Sequence, residues 1–311
     1  MHAHVPVMLA QVLDGLALTD SGYYVDATFG RGGHSAEILN RLGPEGRLLA
    51  IDRDNTAVAE AQRRFADDPR FQIAQVPFAE LATAMNGAWG DQRASGVLFD
   101  FGVSSPQLDD AERGFSFLRE GPLDMRMDTQ QNVTAASYLA DVDEATLRRD
   151  LRELGEERLA GRIATAIIVA RDRGAIRTTL DLANGVEAAT PARVKARSQR
   201  HPATQTFQAI RMRINDELGQ IKRALSAVVD CLRIGGRVCF ITFHSLEDRP
   251  VKRFLRDACA EDPVYRGLPD VPEHARPTMR LIGKAQTAGK EELTRNPRAR
   301  SARLRIAERL R

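Results

Sequence analysis

Short apolar runs alternate with helical stretches over the first hundred residues. The apolar runs have the length of β-strands, and in the stretches between them apolar residues recur every three or four positions. The predicted strands are 23–26, 47–52, 71–76 and 96–100, and the predicted helices are 35–42, 55–65 and 78–85. Strands that alternate with helices at this spacing indicate a parallel sheet with helices on both faces.

From about residue 105 to about residue 212 the pattern changes to helices alone. Apolar residues there recur at helical spacing, and no convincing strand-like run interrupts them. The predicted helices are 142–154, 156–173 and 180–188.

The strand pattern resumes after this helical stretch. An amphipathic helix is predicted over 215–232 and ends at Gly235-Gly236, and an apolar strand follows over 237–243. A last strand is predicted over 301–307. The stretch 262–299 is rich in proline, glycine and charge, which indicates a long loop.

Together these patterns predict two domains. A chain of 311 residues with 43% hydrophobic content is long enough for a large core with a second domain attached. We predict an α/β core domain formed by 1–108 and 213–311, interrupted by an inserted helical domain at 109–212 that recognises the substrate.

The cysteines and the apolar runs favour a cytoplasmic protein. Cys231, Cys239 and Cys259 match no zinc-binding spacing, and an odd number argues against a disulfide framework. No apolar run approaches the roughly 18 residues that a membrane span needs, and the first residues lack the pattern of a secretory signal. We expect no membrane association, and no cluster of residues suggests a metal site.

Charge is unevenly distributed along the chain, although the formal net charge is only +3. Residues 191–223 hold eight Lys/Arg against two acids, and 295–311 hold seven Arg against one Glu. Residues 100–128 hold seven acids against three Arg. This division suits a surface that binds a polyanion beside a site of different charge.

A glycine-rich turn follows the first predicted strand. The strand ends at Asp26, and the turn Gly30-Arg31-Gly32-Gly33 leads into a helix. Glycines at such a turn let the backbone approach a ligand closely. Asp52 ends the next strand, 20 residues after Gly32, where a carboxylate can accept hydrogen bonds from a ribose diol. The combination indicates a cofactor that contains a nucleoside.

The glycine spacing favours S-adenosylmethionine as this cofactor. A dinucleotide site has the spacing Gly-x-Gly-x-x-Gly and binds a pyrophosphate. Here the spacing is Gly30-x-Gly32-Gly33, and Asp26 beside the turn suits a cationic ligand. S-adenosylmethionine carries an ammonium and a sulfonium and no phosphate. A nicotinamide dinucleotide is the alternative, and the Walker-type phosphate loop is absent.

The segment 100–110 ends the fourth predicted strand at the same edge of the sheet. Its polar groups, from Asp100 to Asp110, could face the transferred methyl group. A strand-ending turn capped by serine and aspartate side chains explains the same residues without any chemistry.

Several long segments of the chain resemble one known family. The sequence is similar to the bacterial 16S ribosomal RNA cytosine-N4 methyltransferases, also called the RsmH or MraW family, over blocks that run nearly from end to end. The similar blocks are 28–35, 50–54, 100–107, 113–117, 121–127, 201–211, 243–249 and 296–301.

The resemblance implies a fold, a cofactor and a substrate. The fold would be that of the class I S-adenosylmethionine-dependent methyltransferases, which is Rossmann-like and mostly parallel, with an inserted helical domain. The substrate would be cytosine 1402 of 16S ribosomal RNA in the small ribosomal subunit. The residues implied to bind the cofactor are Gly32, Gly33, His34, Asp52 (ribose), Phe78 (adenine), Asp100 and Gln107.

Methylation of cytosine N4 needs an amine whose lone pair is freed from the ring and aimed at the methyl group. A hydrogen-bond acceptor for the amino hydrogens would favour the positive charge that develops on nitrogen. Asp100 is the candidate catalytic residue, but the common Asp/Asn-Pro-Pro-aromatic motif is replaced by Asp100-Phe101-Gly102-Val103, so Asp100 could instead contact only the cofactor. His244 is a further candidate near this edge, although a structural hydrogen bond explains it as well.

The basic segment near residue 200 is the candidate surface for RNA. Lysine and arginine side chains neutralise phosphates and release counterions. The candidate residues are Arg193, Lys195, Arg197, Arg200, His201, Arg211 and Arg213. A solvated helix face is the alternative interpretation.

Other functions fit parts of the same pattern. A methyltransferase of this fold could act on DNA cytosine or on another RNA base, and a ribosome-assembly factor could keep the cofactor pocket without catalysis. The sequence leaves the oligomeric state open, with a homodimer as one option.

Overall fold

The structure is a computed structural model that describes residues 6–198, 200–265 and 272–311. The chain divides into two compact units. The first, here the sheet unit, comprises Met1–Gly102 and Leu218–Arg311, and the second, here the helical unit, comprises Val103–Glu217. These limits lie six and five residues outside those predicted for the inserted domain, whose role in substrate recognition stays a prediction.

In its described residues the sheet unit contains a mostly parallel sheet of eight strands, which confirms the predicted fold class. Its spatial order is β3-β2-β1-β4-β5-β8-β6, and β7 also pairs with β8. The pairs among the first five strands are parallel, whereas β8 pairs antiparallel with β5, β6 and β7. The strands are β1 (Tyr23–Asp26), β2 (Arg47–Asp52), β3 (Phe71–Gln75), β4 (Ala94–Asp100), β5 (Leu232–Thr242), β6 (Met279–Leu281), β7 (Gln286–Thr287) and β8 (Arg303–Arg309).

Helices cover both faces of this sheet. They are α1 (Leu9–Leu16), α2 (Gly33–Leu39), α3 (Asn55–Phe65), α4 (Leu81–Trp89), α12 (Glu217–Cys231), α13 (Ser245–Ala258) and α14 (Lys290–Arg295). Because successive residues of a strand point to opposite faces, Phe99 and Phe240 pack in one apolar cluster while Leu98 and Cys239 pack in another. Burial on both faces explains why these strands are continuously apolar.

The described residues of the helical unit form seven helices around an apolar cluster, which includes Leu147, Leu151, Ile163 and Phe207. The helices are α5 (Ser105–Asp109), α6 (Ala135–Asp141), α7 (Glu144–Gly155), α8 (Ala160–Asp172), α9 (Thr179–Ala189), α10 (Ala192–Lys195) and α11 (Thr204–Ile214). In the described part of this unit, the only β pairing is an isolated bridge between Pro122 and Thr178.

Two local predictions were wrong. The break expected at Gly235-Gly236 lies inside β5, which begins at Leu232 and shifts its register against β4 in this region. Gly235 has a φ of +76° there, so the glycine allows an irregular strand instead of ending a helix. The stretch 262–299 was expected to be a loop but contains β6 and β7, which both pair with β8. Residues 266–271 of this stretch lie outside the described residues.

Within the described ranges, the structure contains no helix with the length and apolar character needed to cross a bilayer.

Candidate active site

Three aspartates end three neighbouring strands of the sheet. Asp26 ends β1, Asp52 ends β2 and Asp100 ends β4, and these strands lie in the order β2-β1-β4. Because the strands are parallel, the three carboxyl groups lie along one edge of the sheet. Ligands of open α/β sheets bind at this edge.

The glycine turn after β1 is held at the same edge. Gly30 and Gly32 have φ angles of +56° and +68°, a left-handed conformation that favours glycine. A Cβ atom on Gly32 would lie 2.4 Å from the Phe29 ring. The Gly30 N–H donates to Oδ2 of Asp52 over 2.8 Å, which ties the turn to the end of β2. The glycines are therefore required by the turn itself, and the turn fixes the position of Asp52.

Asp26 is a buried carboxyl group at the base of this turn. Its Oδ2 accepts the Ser35 hydroxyl over 2.7 Å, and its Oδ1 accepts the Thr28 N–H over 3.3 Å. Burial raises the pKa of Asp26 to about 6, and the hydrogen bonds from Ser35 and Thr28 oppose this shift only in part. The side chain is stabilised in place, but no cationic side chain of the described residues neutralises its negative charge.

The turn residue His34 is buried, and its Nε2 lies 3.0 Å from the carbonyl oxygen of Val7. Gly33 is close to the same N-terminal segment, because a Cβ atom at this position would lie 2.4 Å from Cγ of Pro6. The side chain of His34 thus has a structural contact, and its predicted contact with a cofactor, like that of Gly33, stays a prediction.

Asp52 is half-buried and accepts two backbone hydrogen bonds. Besides Gly30, the N–H of Asp54 donates to its Oδ1 over 2.9 Å. Burial raises the pKa of Asp52 to about 6, and these backbone hydrogen bonds oppose the shift. Each carboxylate oxygen can accept more than one hydrogen bond, so the group can still bind a diol.

Asp100 has the least satisfied of the three carboxyl groups. Its backbone N–H donates to Oγ1 of Thr28 over 2.7 Å, but its own Oδ1 is buried without a hydrogen-bond partner among the described residues. Burial, and then the negative charges of Asp26 and Glu247, raise the pKa of Asp100 well above its usual range. A buried acceptor without a donor is a position where a ligand can supply one.

Phe78 lies in a short 3₁₀ turn after β3 and supplies an aromatic surface. Its ring centroid lies 6.1 Å from that of Phe99 and 5.4 Å from that of Phe101. Phe99 lies near the end of β4, and Phe101 is the first residue after it. The half-buried ring of Phe78 therefore flanks the strand end that carries Asp100.

Gln107 belongs to the helical unit, where it is buried in α5. Its Oε1 accepts the N–H of Ser104 over 3.0 Å and forms part of a capping box at the start of that helix. The structure thus assigns it a local role, and its expected contact with the cofactor stays a prediction.

The predicted RNA-binding residues also lie in the helical unit, in two electrostatic settings. Arg211 binds Glu217 through two hydrogen bonds of 2.7 and 2.8 Å, and Arg213 binds Asp150 over 2.7 Å. Lys195 and His201 both lie within 4 Å of the carboxylate of Glu187. Arg193, Arg197 and Arg200 are exposed and form no ion pair with a described residue, whereas His201 and Arg213 are also exposed but face carboxylates.

The sequence-based prediction did not include Glu247, the most completely buried acid at this edge. Glu247 is 0% exposed and accepts the Phe243 N–H over 2.7 Å. It stands three residues after His244, the N-cap of α13, and this spacing of a capping box is visible in the sequence. The helix α13 itself was not predicted, so the signal was missed.

The mostly parallel sheet, with a glycine turn and a carboxylate on the adjacent strand at its carboxyl edge, matches the predicted class I methyltransferase fold. The model of the MraW methylase family matches residues 1–310, and the chain belongs to this family.

Curated relatives cover almost the whole chain. Ribosomal RNA small subunit methyltransferase H of Methylococcus capsulatus is 53% identical over 302 residues, which are 97% of this chain and 99% of the relative. The protein of the same name from Thioalkalivibrio sulfidiphilus is 50% identical over 99% of this chain and 98% of its own length. That of Coxiella burnetii is 47% identical over the full length of both chains. This protein is accordingly a methyltransferase.

Proposed function

We propose that the protein transfers a methyl group from S-adenosylmethionine to the exocyclic N4 amine of a cytosine, position 1402, in 16S ribosomal RNA. The family and the names of the relatives support small-subunit ribosomal RNA as the substrate. The observation that supports the cofactor most directly is that the carboxyl groups of Asp26 and Asp100, at the ends of β1 and β4, have no cationic partner among the described residues.

These residues fit the chemical groups of S-adenosylmethionine. Asp26 and the glycine turn would hold the cationic methionine end, because a buried carboxylate gains most from a positive partner. Asp52 would accept the ribose hydroxyls, and Phe78 would contact the adenine ring. The pyrophosphate of a nicotinamide dinucleotide would meet the same carboxylates with like charge, which disfavours that alternative.

The bound cofactor supplies an electrophilic methyl group on a sulfonium sulfur. The protein supplies position and charge. Cytosine N4 is a poor nucleophile because its lone pair is delocalised into the ring, so the amine must be turned and held in line with the methyl group. Oδ1 of Asp100 is suited to accept a hydrogen bond from the amino group or from the cofactor.

The helical unit is the proposed contact for RNA, through Arg193, Lys195, Arg197, Arg200, His201, Arg211 and Arg213. Within this set we assign the direct phosphate contacts to the exposed arginines that form no ion pair with a described residue, Arg193, Arg197 and Arg200. No ion pair of these three is found among the described residues, whereas Arg211 and Arg213 already bind carboxylates.

The decisive experiment uses small subunits isolated from cells that lack this enzyme. We expect the purified protein and S-adenosylmethionine to place one methyl group on these subunits, and digestion to give N4-methylated cytidine from position 1402. A methyl group on a different nucleoside would contradict the proposed specificity. No transfer, together with tight binding to the subunit, would favour an assembly factor without catalysis.

The cytoplasm, where small subunits assemble, is the proposed location. A homodimer is the proposed alternative to a monomer, and light scattering of the purified protein with and without subunits would separate the two.

A further inference from the structure

Glu247 and His244 form a buried pair of acid and imidazole at the carboxyl end of β5. Oε1 of Glu247 lies 3.0 Å from Nε2 of His244, and the histidine side chain is 18% exposed. The imidazole faces the N–H of Glu247 in the capping box at the start of α13, and neither ring nitrogen makes a well-oriented hydrogen bond among the described residues. The imidazole is therefore next to a carboxylate but keeps the capacity to bind a further group.

The carboxylate of Glu247 is held in a fixed position. Its Oε2 accepts the N–H of Phe243 over 2.7 Å and lies 3.4 Å from the N–H of His244. A fully buried acid is costly unless several contacts hold it. These contacts at the start of α13 fix the loop after β5, and with it the direction of the imidazole.

This pair lies beside the strand end that carries Asp100. β4 and β5 are neighbours in the sheet, and the N–H of Phe101 donates to the carbonyl of Ile241 over 3.0 Å. Gly102 has a φ of +102°, and a Cβ atom there would lie 3.5 Å from the Phe243 ring and 3.6 Å from Oε1 of Glu247. The residues that directly follow β4 therefore lie against the loop that carries His244.

Asp100 and the imidazole of His244 can divide two tasks at this edge. Oδ1 of Asp100 is buried without a hydrogen-bond partner among the described residues, so it can accept a hydrogen bond from the amine and orient it. A second group can then accept the proton that methylation releases. An imidazole can take up and release a proton near neutral pH, and an adjacent carboxylate stabilises its charged form.

We propose that His244 accepts the proton that cytosine N4 loses on methylation, and that Glu247 positions this imidazole. The inference rests on the proposed function. The amine uses its lone pair to form the new C–N bond as the S–CH₃ bond breaks with its electron pair on sulfur. The N–H bond then breaks, its electron pair stays on N4, and the proton moves to the imidazole and on to solvent.

The test compares His244→Ala and His244→Asn with the wild-type protein on small subunits that lack the methyl group. We expect the single-turnover rate to fall about 100-fold in both variants, and added imidazole to restore about tenfold in His244→Ala. The dissociation constant for S-adenosylhomocysteine should stay within about twofold, because the cofactor residues are unchanged. His274→Ala removes an exposed histidine and is the matched control.

Glu247→Gln tests the positioning role. The amide can still accept the Phe243 N–H but carries no charge, so we expect about a tenfold lower rate with unchanged affinity for S-adenosylhomocysteine. A parallel loss of this affinity and of the rate would show a merely structural role and overturn the assignment of Glu247.

Wild-type rates in both His244 variants would overturn the inference, as would a loss of rate that imidazole leaves unchanged. If the wild-type protein transfers no methyl group to small subunits, the proposed function fails before any variant is compared. If it does and the His244 variants match it, only the inference about the proton fails.

Discussion

Buried acids occur in both units, but their partners differ. In the helical unit, Asp150 and Glu217 are each 5% exposed and bind Arg213 and Arg211. At the edge of the sheet unit, Asp26 is 1% exposed, and its hydrogen-bond partners are a hydroxyl group and a backbone N–H. A buried acid that is paired with a cation contributes to the stability of the fold. A buried acid without such a partner among the described residues is a candidate for binding a ligand.

The pKa values show the same difference. Asp26 and Asp52 have a pKa of about 6, above the ordinary range for aspartate, because burial disfavours the charged form. Displaced values of this kind concentrate at functional sites. The comparison therefore supports the sheet edge as the candidate site, and five experiments test it.

Asp100→Asn should have the largest effect. The amide replaces one of the two carboxyl oxygens by an N–H donor, so we expect the rate of methyl transfer to fall about 10² to 10³-fold. The same change removes a carboxyl group that is crowded by Asp26 and Glu247, so the melting temperature of the ligand-free protein at pH 7.5 should rise by about 2 °C. Rate assays and thermal unfolding check both parts, and an active variant with a lower melting temperature would contradict them.

Asp150→Ala should act on stability and not on cofactor binding. Asp150 binds both Arg213 and the Tyr138 hydroxyl, each over 2.7 Å, and its loss leaves both groups without their partner. We expect the free energy of unfolding to fall by about 2 kcal/mol, a value reduced because Arg213 is partly exposed. The control, Asp172→Ala, removes an exposed ion pair with Arg171 and should change the free energy of unfolding by less than about 0.5 kcal/mol. Denaturant titration measures both.

Affinity for S-adenosylmethionine should depend on pH through Asp26 and Asp52. Both carboxyls must ionise to bind a cation or a diol well, so affinity should rise about tenfold per carboxyl from pH 5 to pH 7.5. Calorimetry at pH 5, 6 and 7.5 checks this, and a flat profile would contradict the proposed contacts.

The stability of the ligand-free protein should change in the opposite direction. The pKa of Asp26 in the folded protein lies above its unfolded value of 3.8. The contribution of Asp26 to the free energy of unfolding is therefore fully present below about pH 4 and is lost as pH rises through 6. The loss amounts to about 3 kcal/mol. Denaturant titrations across this range should show it, and Asp26→Asn should flatten the curve.

The smallest expected effect concerns the arginines of the helical unit. Those without an ion pair and those paired with carboxylates should differ in how they change the salt dependence of RNA binding. Replacing Arg193, Arg197 and Arg200 by glutamine should lower the slope of log affinity for RNA against log salt by about 2. Replacing Arg211 and Arg213 should lower stability and leave most of the slope. An equal loss of slope in both variants would contradict the assignment of phosphate contacts.

The sequence predicted the strands of the sheet well because burial on both faces makes their signal local. β1, β2 and β4 follow continuous apolar runs, and their terminal aspartates were found at the same time. α13 was missed because Pro250 interrupts its pattern, and with it the pair formed by His244 and Glu247. Ionic partners such as Asp150 and Arg213 are 63 residues apart, and no local pattern reveals them.

The ribosome synthesises the two sections of the sheet unit, Met1–Gly102 and Leu218–Arg311, at different times. β5 begins at Leu232, about 130 residues after β4 ends at Asp100, so the ribosome needs on the order of ten seconds between them. During this interval β4, with the apolar residues Val97, Leu98 and Phe99, lacks its neighbour on one side. Slower translation across the inserted segment should therefore increase aggregation of the newborn chain, unless a chaperone covers that edge.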